Sequence, residues 1–319
     1  MRKLLDTVPG SAASAATELA SGEVLVRATR TAFDAAAFSL LRDDARFAPG
    51  REVVGLVQAI GPGADAWNHK RVVVSPLIPC GCCDLCRRGL AIHCRDRAEL
   101  GVSRDGAFAG RVAVPMSALF EIPKAVDDDR AAFVGPLGKA LHAADLVRLE
   151  NKAFVTIIGE DAVALLAAQV MTQRNASVRL LGRETARYGL CEKWGVKHRH
   201  IDQVGRRADQ DVVFVCSETP GDLETAIRLA RPRATILLLA TPAHDRQPLT
   251  ESALRALREN ELTLIGSRAE RPIDALRLLA ADAVDVRSLL SAKFRLAQLP
   301  EAVSKAKNPE CVRVVFDLT

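Results

Sequence analysis

The sequence predicts an α/β protein of two domains, a β-barrel followed by a doubly wound parallel sheet. The chain has 319 residues, and domains of roughly 150 residues favour two domains over one. Its first third alternates short β-rich runs with Gly and Pro, and later apolar strand runs alternate regularly with amphipathic helical segments. Repeated strand–helix units of this length form parallel sheets.

The composition is that of a folded globular protein, with 49% apolar and 26% charged residues. Lys and Arg outnumber Asp and Glu by only 44 to 39, and no block of consecutive basic residues occurs. Asp6 and Pro9 interrupt the N-terminal segment, and no apolar run approaches the ~18 residues of a membrane helix. We therefore expect a cytoplasmic protein that binds neither nucleic acid nor membrane.

The elements predicted along the chain fall into three groups. The first third carries strands at residues 23–28, 53–60 and 71–74. The middle carries strands at residues 154–158, 177–181, 197–201, 211–216, 234–239 and 262–266, with helices at residues 163–174, 184–194, 222–230 and 252–259. Strand-like runs return near the C-terminus. We therefore assign residues 1–143 and 285–319 to the barrel domain and residues 144–284 to the parallel-sheet domain.

Five of the eight cysteines fall between positions 80 and 94. Four thiolates satisfy tetrahedral zinc, and two-residue gaps let one loop wrap the ion. Cys80, Cys83 and Cys86 share an even spacing and Cys94 supplies a fourth ligand, so Cys82 is the odd one out. A closed site of this kind stabilises its lobe, residues 79–97, and performs no chemistry. Ordinary buried cysteines and a nucleic-acid-binding zinc ribbon are the alternatives.

The cysteine spacing and its surroundings resemble the zinc-containing medium-chain alcohol dehydrogenases. The resemblance extends to PGREVVG at residues 49–55 and DGAFA at residues 105–109, and it spans essentially the whole chain. It implies a GroES-like barrel catalytic domain and a Rossmann domain, an active site in the cleft between them, and a small-molecule substrate. It also implies a homodimer or homotetramer paired through an edge strand, for which residues 262–266 are the candidate.

The family also holds a catalytic zinc, and this sequence lacks its ligand pattern. The ligands expected from the resemblance are a Cys three residues before an Asp, the His of Gly-His-Glu, and an acidic or Cys residue before the nucleotide domain. A relay hydroxyl follows the first ligand by two residues. The corresponding residues here are Thr31 before Asp34, Arg51 between Gly50 and Glu52, Gly135 before Pro136, and Phe33 at the relay position.

A site without catalytic zinc needs another group to stabilise negative charge on the substrate oxygen. Arg51 places a permanent cation at a former ligand position, and Thr31 offers a hydroxyl donor. We take these two as the candidate catalytic residues. The alternatives are that Arg51 only pairs with Glu52 or Asp34 and that Thr31 is purely structural.

A dinucleotide fingerprint is expected where strand 154–158 runs into the next helix. Gly159 keeps the tight turn, and Ala164 is an accepted small residue for helix packing. Asp161 replaces the central glycine, so it adds bulk and negative charge where pyrophosphate would approach. An Asp at this place also caps a helix without any ligand.

The end of the second strand of this domain should distinguish between cofactors. Gly182 stands where an acidic residue would hold the ribose of NAD, and Arg183 follows it. An arginine there suits a 2′-phosphate, so the sequence favours NADP(H) over NAD(H). The alternative is that Arg183 is an exposed loop cation.

Two functions fit these features. The first is an NADP(H)-linked oxidoreductase that transfers hydride to or from a small carbonyl, alcohol or enone, with one structural zinc and no catalytic zinc. The second is a non-catalytic dehydrogenase-like binding protein that keeps only the structural zinc. The lost ligand pattern is compatible with both functions, and Asp161 counts against the first.

Overall fold

A computed structural model of the chain describes residues 18–33, 46–205, 207–240 and 249–319. The chain divides into two compact units. The first unit contains the described residues up to Val134 together with Leu276–Ala283 and Leu290–Thr319, and the second contains Gly135–Ala275 and Val284–Leu289. The division after residue 134 lies earlier than the 143/144 boundary expected from the sequence, because one continuous helix begins there. Within the described ranges, no helix is long and apolar enough to cross a membrane.

The secondary structure of the described residues is as follows. The strands are β1 (Glu23–Phe33), β2 (Val53–Ile60), β3 (Arg71–Val74), β4 (Leu77–Ile78), β5 (Ala98–Glu99), β6 (Arg111–Pro115), β7 (Leu119–Glu121), β8 (Phe154–Ile158), β9 (Ser177–Gly182), β10 (Lys197–His200), β11 (Gln210–Val215), β12 (Ala230–Leu238), β13 (Thr263–Gly266), β14 (Leu290–Arg295) and β15 (Arg313–Asp317). The helices are α1 (Asp84–Arg87), α2 (Asp128–Ala131), α3 (Val134–Asp145), α4 (Ala162–Gln173), α5 (Tyr188–Lys193), α6 (Asp222–Leu229), α7 (Glu251–Glu259), α8 (Pro272–Ala280) and α9 (Leu299–Ala306).

Strand β1 organises the seven-stranded sheet of the first unit. The strand order is β14-β15-β1-β2-β3-β7, and β6 also pairs with β1. All contacts of β1 are antiparallel, whereas β14 and β15 are parallel to each other. The two C-terminal strands therefore complete the sheet that begins at the N-terminal end. Strands β4 and β5 form a separate two-stranded sheet beside the cysteine loop.

Alternating valines build the core of the first unit. Val24 and Val26 on β1 are fully buried and pack with Val53 on β2 and Val72 on β3. Gly55 allows β2 to approach β1 closely, because a Cβ at this position would lie 2.3 Å from the carbonyl oxygen of Arg27. Burial of these apolar faces stabilises the sheet by roughly 25 cal/mol per Å² removed from water.

The second unit confirms the predicted doubly wound parallel sheet. Its strand order is β10-β9-β8-β11-β12-β13, and every neighbouring pair is parallel. All six predicted strands are present, although β12 begins at Ala230, four residues before the predicted start at 234. Strand β13 lies at one edge, as the sequence predicts for residues 262–266.

The direction of winding reverses at β8, which identifies where a ligand would bind in this unit. The chain continues from β8 to β9 on one side, and β11 lies on the other side. Ligands of such sheets bind beyond the carboxyl ends of the strands at the switch point. The residues at or just beyond these three strand ends are Gly159, Gly182 and Cys216.

Candidate functional sites

The four cysteines with zinc-ligand spacing converge in the first unit. The sulfur atoms of Cys80, Cys83, Cys86 and Cys94 all lie within 4.8 Å of one another. Individual Sγ–Sγ distances are 3.5 Å from Cys83 to Cys86, 3.8 Å from Cys83 to Cys94 and 4.0 Å from Cys80 to Cys86. Zinc–sulfur bonds of ~2.3 Å in a tetrahedron place sulfurs roughly 3.8 Å apart. The donor set and its spacing therefore fit one closed zinc site.

Local structure explains why the loop closes around this point. Gly81 and Gly89 both adopt positive φ, of 76°, which turns the chain on either side of α1. The backbone N–H of Cys80 donates a hydrogen bond to the Cys94 sulfur over 3.4 Å. Cys82 is exposed, with its sulfur 3.8 Å from that of Cys80, and it does not belong to the group of four.

Thr31 lies near the end of β1, opposite Phe316 of β15. Its side chain is fully buried, and no described residue provides a hydrogen-bond partner for its Oγ1. A buried hydroxyl without a partner costs roughly 1–3 kcal/mol. This arrangement gives no structural reason for a hydroxyl here, since a valine of the same shape would fill the space without that cost.

Arg51 forms an ion pair with Glu99 of β5. The sequence alternative, a pair with Glu52, does not occur, because Glu52 instead pairs with Arg313 of β15. Asp34, the other expected partner, lies outside the described residues. The Arg51 side chain is 44% exposed.

The β1–β2 register places Thr31 and Arg51 at the same end of the first sheet. Arg30 pairs with Val54 in this antiparallel ladder. The chain beyond Arg30 and the chain before Val54 therefore lie side by side. No described contact links Thr31 to Arg51 directly.

Phe33, at the position where the resemblance expects a relay hydroxyl, is a core residue. Its ring stacks on Phe108, with centroids 5.1 Å apart, and meets the edge of Phe316 at 5.8 Å. The side chain is 4% exposed. An apolar aromatic cluster therefore fills this position, and it offers no group that can carry a proton.

Gly135 falls within the first turn of α3 and has no side chain to bind a metal. Among the residues that the structure describes, the four cysteines are the one group of three or more His, Cys, Asp or Glu side chains placed to hold a metal. Thr31, Arg51 and Gly135, at the three ligand positions expected from the resemblance, carry none of the thiolate, imidazole and carboxylate groups that bind zinc in proteins.

The loop between β8 and α4 keeps the first glycine of the fingerprint, Gly159, and has Asp161 in place of the central glycine. Gly159 has a φ of 133° and packs closely against the loop that follows β11. A Cβ on Gly159 would lie 3.1 Å from the Cβ of Cys216, the first residue of that loop. Asp161 caps α4 by accepting a hydrogen bond of 2.8 Å from the Ala164 backbone N–H. The cap stabilises the helix and places a negative charge at the end that would attract pyrophosphate.

Arg183 does not project alone from the end of β9. Its guanidinium donates two hydrogen bonds to Asp222, whose side chain is 2% exposed. These bonds raise the pKa of Arg183 above its usual value. The expectation that Arg183 reads a 2′-phosphate therefore meets a competing partner on α6.

Glu160 lies beside these residues, and no motif in the sequence singles it out. Its Oε1 accepts a hydrogen bond of 2.6 Å from the Glu184 backbone N–H. The carboxyl group lies directly over Gly182, because a Cβ on that glycine would be 2.1 Å from the same oxygen. The sequence signal that could have pointed to this contact is the combination of Gly182 at the end of β9 and an acidic residue, Glu160, directly after Gly159.

Comparisons with known sequences agree with these features. Residues 20–124 match the family described as alcohol dehydrogenase GroES-like domain. The sorbitol dehydrogenase of Halalkalibacterium halodurans is 26% identical over 284 residues, which cover 84% of this chain and 82% of that protein. The galactitol 1-phosphate 5-dehydrogenase of Escherichia coli K12 is 29% identical over 231 residues, covering 68% of this chain and 66% of that protein.

Solved structures share the fold along nearly the whole chain. Galactitol-1-phosphate dehydrogenase from Escherichia coli superimposes with a TM-score of 0.86 at 24% identity, covering 96% of both chains. An alcohol dehydrogenase from E. coli CFT073 with bound NADH gives 0.85 at 22% identity, covering 94% of this chain and 93% of that one. A zinc-binding dehydrogenase from Sinorhizobium meliloti with bound NADP gives 0.84 at 24% identity, with the same coverage.

Proposed function

The chain belongs to the zinc-type, alcohol dehydrogenase-like superfamily of medium-chain dehydrogenases/reductases, and from this premise we propose that it transfers hydride between a nicotinamide dinucleotide and a small alcohol or carbonyl compound without a catalytic zinc. The observation that carries the zinc-free part is the set Thr31, Arg51 and Gly135 at the expected ligand positions. Curated relatives act on sorbitol and galactitol 1-phosphate by their names, so polyols are the first substrates to test.

The second unit would hold the dinucleotide at the carboxyl ends of β8, β9 and β11. The tight turn at Gly159 and the small, fully buried Ala164 fit this role, whereas Asp161 opposes the pyrophosphate charge. When bound, a nicotinamide ring supplies a hydride to a carbonyl carbon or accepts one from an alcohol carbon.

Thr31 would stabilise the charge that develops on the substrate oxygen. Reduction of a carbonyl leaves negative charge on that oxygen until a proton from solvent completes the alcohol. The Thr31 hydroxyl has no hydrogen-bond partner among the described residues, so its O–H could donate to a substrate oxygen. Because the side chain is fully buried, this role requires its neighbours to open a path to it. Arg51 would add a positive charge, weakened by its pair with Glu99.

A pair of substitutions at Thr31 tests this role. Thr31→Val keeps the shape and removes the hydroxyl, and Thr31→Ser keeps the hydroxyl. We expect Thr31→Val to lower kcat for dinucleotide-linked polyol oxidation by roughly 10²-fold, the usual loss for one donor to an oxyanion, with Thr31→Ser close to wild type. Thr31→Val should also unfold no earlier than wild type, since it removes a buried hydroxyl that lacks a partner. Equal kcat for the valine variant and the wild type would remove Thr31 from the mechanism.

Cys80, Cys83, Cys86 and Cys94 would bind the single zinc of each chain, supported by the distances between their sulfurs. Four thiolates leave no coordination position for substrate, so this zinc would stabilise the loop from β4 to β5 and take no part in hydride transfer.

Strand β13 would pair with a second copy of the chain to form a homodimer or part of a homotetramer. It lies at the edge of the sheet, and Leu264 on it is 43% exposed. Edge strands with exposed apolar residues are templates for pairing with another chain. Light scattering of the wild type and of Leu264→Lys tests this, since the lysine should lower the mass and an unchanged mass would exclude β13 as the interface.

A further inference from the structure

The end of β9 is where a dinucleotide-binding unit normally presents a carboxylate to the ribose of the adenosine half. Gly182 occupies this position and has no side chain. A carboxylate is nevertheless present at this point in space, because Glu160 reaches across from the fingerprint turn. The Glu160 and Gly182 positions are therefore complementary: the glycine leaves open the volume that the glutamate fills.

The Glu160 carboxylate is held in place from one side. Its Oε1 accepts the backbone N–H of Glu184, the second residue after β9. Arg187 holds the backbone of Glu160 in place by donating a hydrogen bond to its carbonyl oxygen. Within the described residues, Glu184 provides the one hydrogen bond to the carboxylate, so its other oxygen is available to accept hydroxyl donors.

The cations at this edge are already engaged. Arg183 donates two hydrogen bonds to the buried Asp222, and Arg187 donates one to the carbonyl oxygen of Glu160. A 2′-phosphate placed at the end of β9 would therefore lie close to the Glu160 carboxylate and would compete with Asp222 for Arg183. Two ribose hydroxyls would instead meet an acceptor of the right charge.

We propose that Glu160 supplies, from the fingerprint turn, the carboxylate that binds the adenosine ribose, and that it thereby selects NAD(H) over NADP(H). This inference rests on the proposed function, since it assumes that a nicotinamide dinucleotide binds. It reverses the preference that Arg183 predicts from the sequence, because the structure gives Arg183 another partner.

Calorimetric titration of the zinc-replete chain with NADH and with NADPH tests the proposal. The wild type should bind NADH at least roughly tenfold more tightly than NADPH, because like charges repel at a 2′-phosphate. Glu160→Gln keeps the size and the acceptor for the Glu184 N–H but loses the charge. It should weaken the binding of NADH and strengthen the binding of NADPH, so that the Kd for NADPH divided by the Kd for NADH falls to about one.

The matched control is Glu192→Gln, which removes a carboxylate from an exposed position of α5 in the same unit. It should leave both Kd values unchanged. A wild type that prefers NADPH, or a Glu160→Gln variant with the wild-type ratio, overturns the role of Glu160 and leaves the proposed function intact. Binding of neither dinucleotide overturns the proposed function itself, and the role of Glu160 with it.

A second pair of variants separates a ribose-binding carboxylate from a purely structural one. Gly182→Ala would place its Cβ 2.1 Å from Glu160 Oε1, and because this atom ends a flexible side chain, the carboxylate should move away and the NADH preference should fall as in Glu160→Gln. The double variant Glu160→Ala/Gly182→Asp returns a carboxylate to the end of β9. It should recover the preference, whereas a structural role for Glu160 predicts no recovery.

Discussion

Arg183 at the end of β9 donates to both carboxylate oxygens of Asp222 on α6, over 3.0 and 2.7 Å. The two residues lie 39 positions apart, and the pair joins the end of β9 to the first turn of the helix that follows β11. A bidentate bond of this geometry fixes the planar guanidinium. The arginine that should read a phosphate is therefore part of the architecture of the second unit.

Replacing Arg183 should accordingly affect stability. Arg183→Ala leaves the buried Asp222 carboxylate without its bidentate partner, so we expect the free energy of unfolding to fall by about 1–3 kcal/mol. Urea denaturation measures this. Arg199→Ala, an exposed position on the edge strand β10, is the control and should change stability by less than about 0.5 kcal/mol. Equal effects of the two variants would show that the Arg183–Asp222 pair contributes nothing.

We expect Asp161 to link the stability of α4 to dinucleotide affinity. Asp161→Gly removes a carboxylate from the N-terminus of α4 and restores the open position of the fingerprint, so dinucleotide affinity should rise by roughly three- to tenfold. Stability should fall only slightly, since glycine costs a few tenths of a kcal/mol at a cap.

The matched control for Asp161→Gly is the equivalent change at another cap. Thr250 caps α7 by accepting from the Ala253 backbone N–H. Thr250→Gly should produce a similar small loss of stability and leave dinucleotide binding unchanged. Weaker binding by Asp161→Gly, measured by calorimetry, would mean that the carboxylate helps the dinucleotide to bind.

The zinc site predicts a specific stoichiometry. Desalted protein should contain about one zinc per chain, because the described residues place one group of four thiols where it could hold a metal. Cys83→Ser should lose the metal and destabilise the first unit, whereas Cys82→Ser should keep both metal and stability. Elemental analysis gives the answer, and two zinc ions per chain would contradict the account of a lost catalytic site.

Asp285 should contribute to the loss of stability of the second unit at acidic pH. Burial alone would raise its pKa, but hydrogen bonds from Lys193, Ser288 and Trp194 outweigh this and lower the pKa to about 2. A carboxyl with a depressed pKa stabilises the folded state above its unfolded value of about 3.9 and loses that contribution as the pH falls further.

We therefore expect Asp285→Asn to flatten the loss of stability between pH about 4 and pH about 2, where the wild type should lose it steeply. Thermal unfolding across this range measures the slope. Asp65→Asn, at an exposed position of the first unit, should keep the wild-type slope. If Asp285→Asn lost stability with falling pH as steeply as the wild type, groups other than Asp285 would be responsible for the acid sensitivity.

Periodicity and spacing predicted most of the fold because both depend on neighbours in sequence. Strand β8 occupies residues 154–158 as predicted, and β13 is the edge strand. The predicted helix at 184–194 is divided: a single turn at Thr185–Arg187 precedes α5. The conformation of residues after a strand end depends on contacts with neighbouring strands, and the local sequence pattern carries no information on those contacts.

Pairing across the fold was not predictable from the sequence. The sequence offers Glu52 and Asp34 as alternative partners of Arg51, yet Arg51 pairs with Glu99, 48 positions away, while Glu52 pairs with Arg313 near the other end of the chain. Glu160 is not predictable for a similar reason, since its carboxylate reaches the space beside Gly182 only through the pairing of β8 with β9. Charge partners are chosen by the tertiary fold, so candidate roles for single arginines and carboxylates need coordinates.

Calorimetric titration of the zinc-replete wild type with NADH decides whether the chain uses a nicotinamide cofactor. We expect one binding site per chain with a micromolar Kd, despite the carboxylate at Asp161. No binding of NADH or NADPH up to millimolar concentration would contradict this expectation, and the chain would then be a dehydrogenase-shaped protein that uses no nicotinamide cofactor.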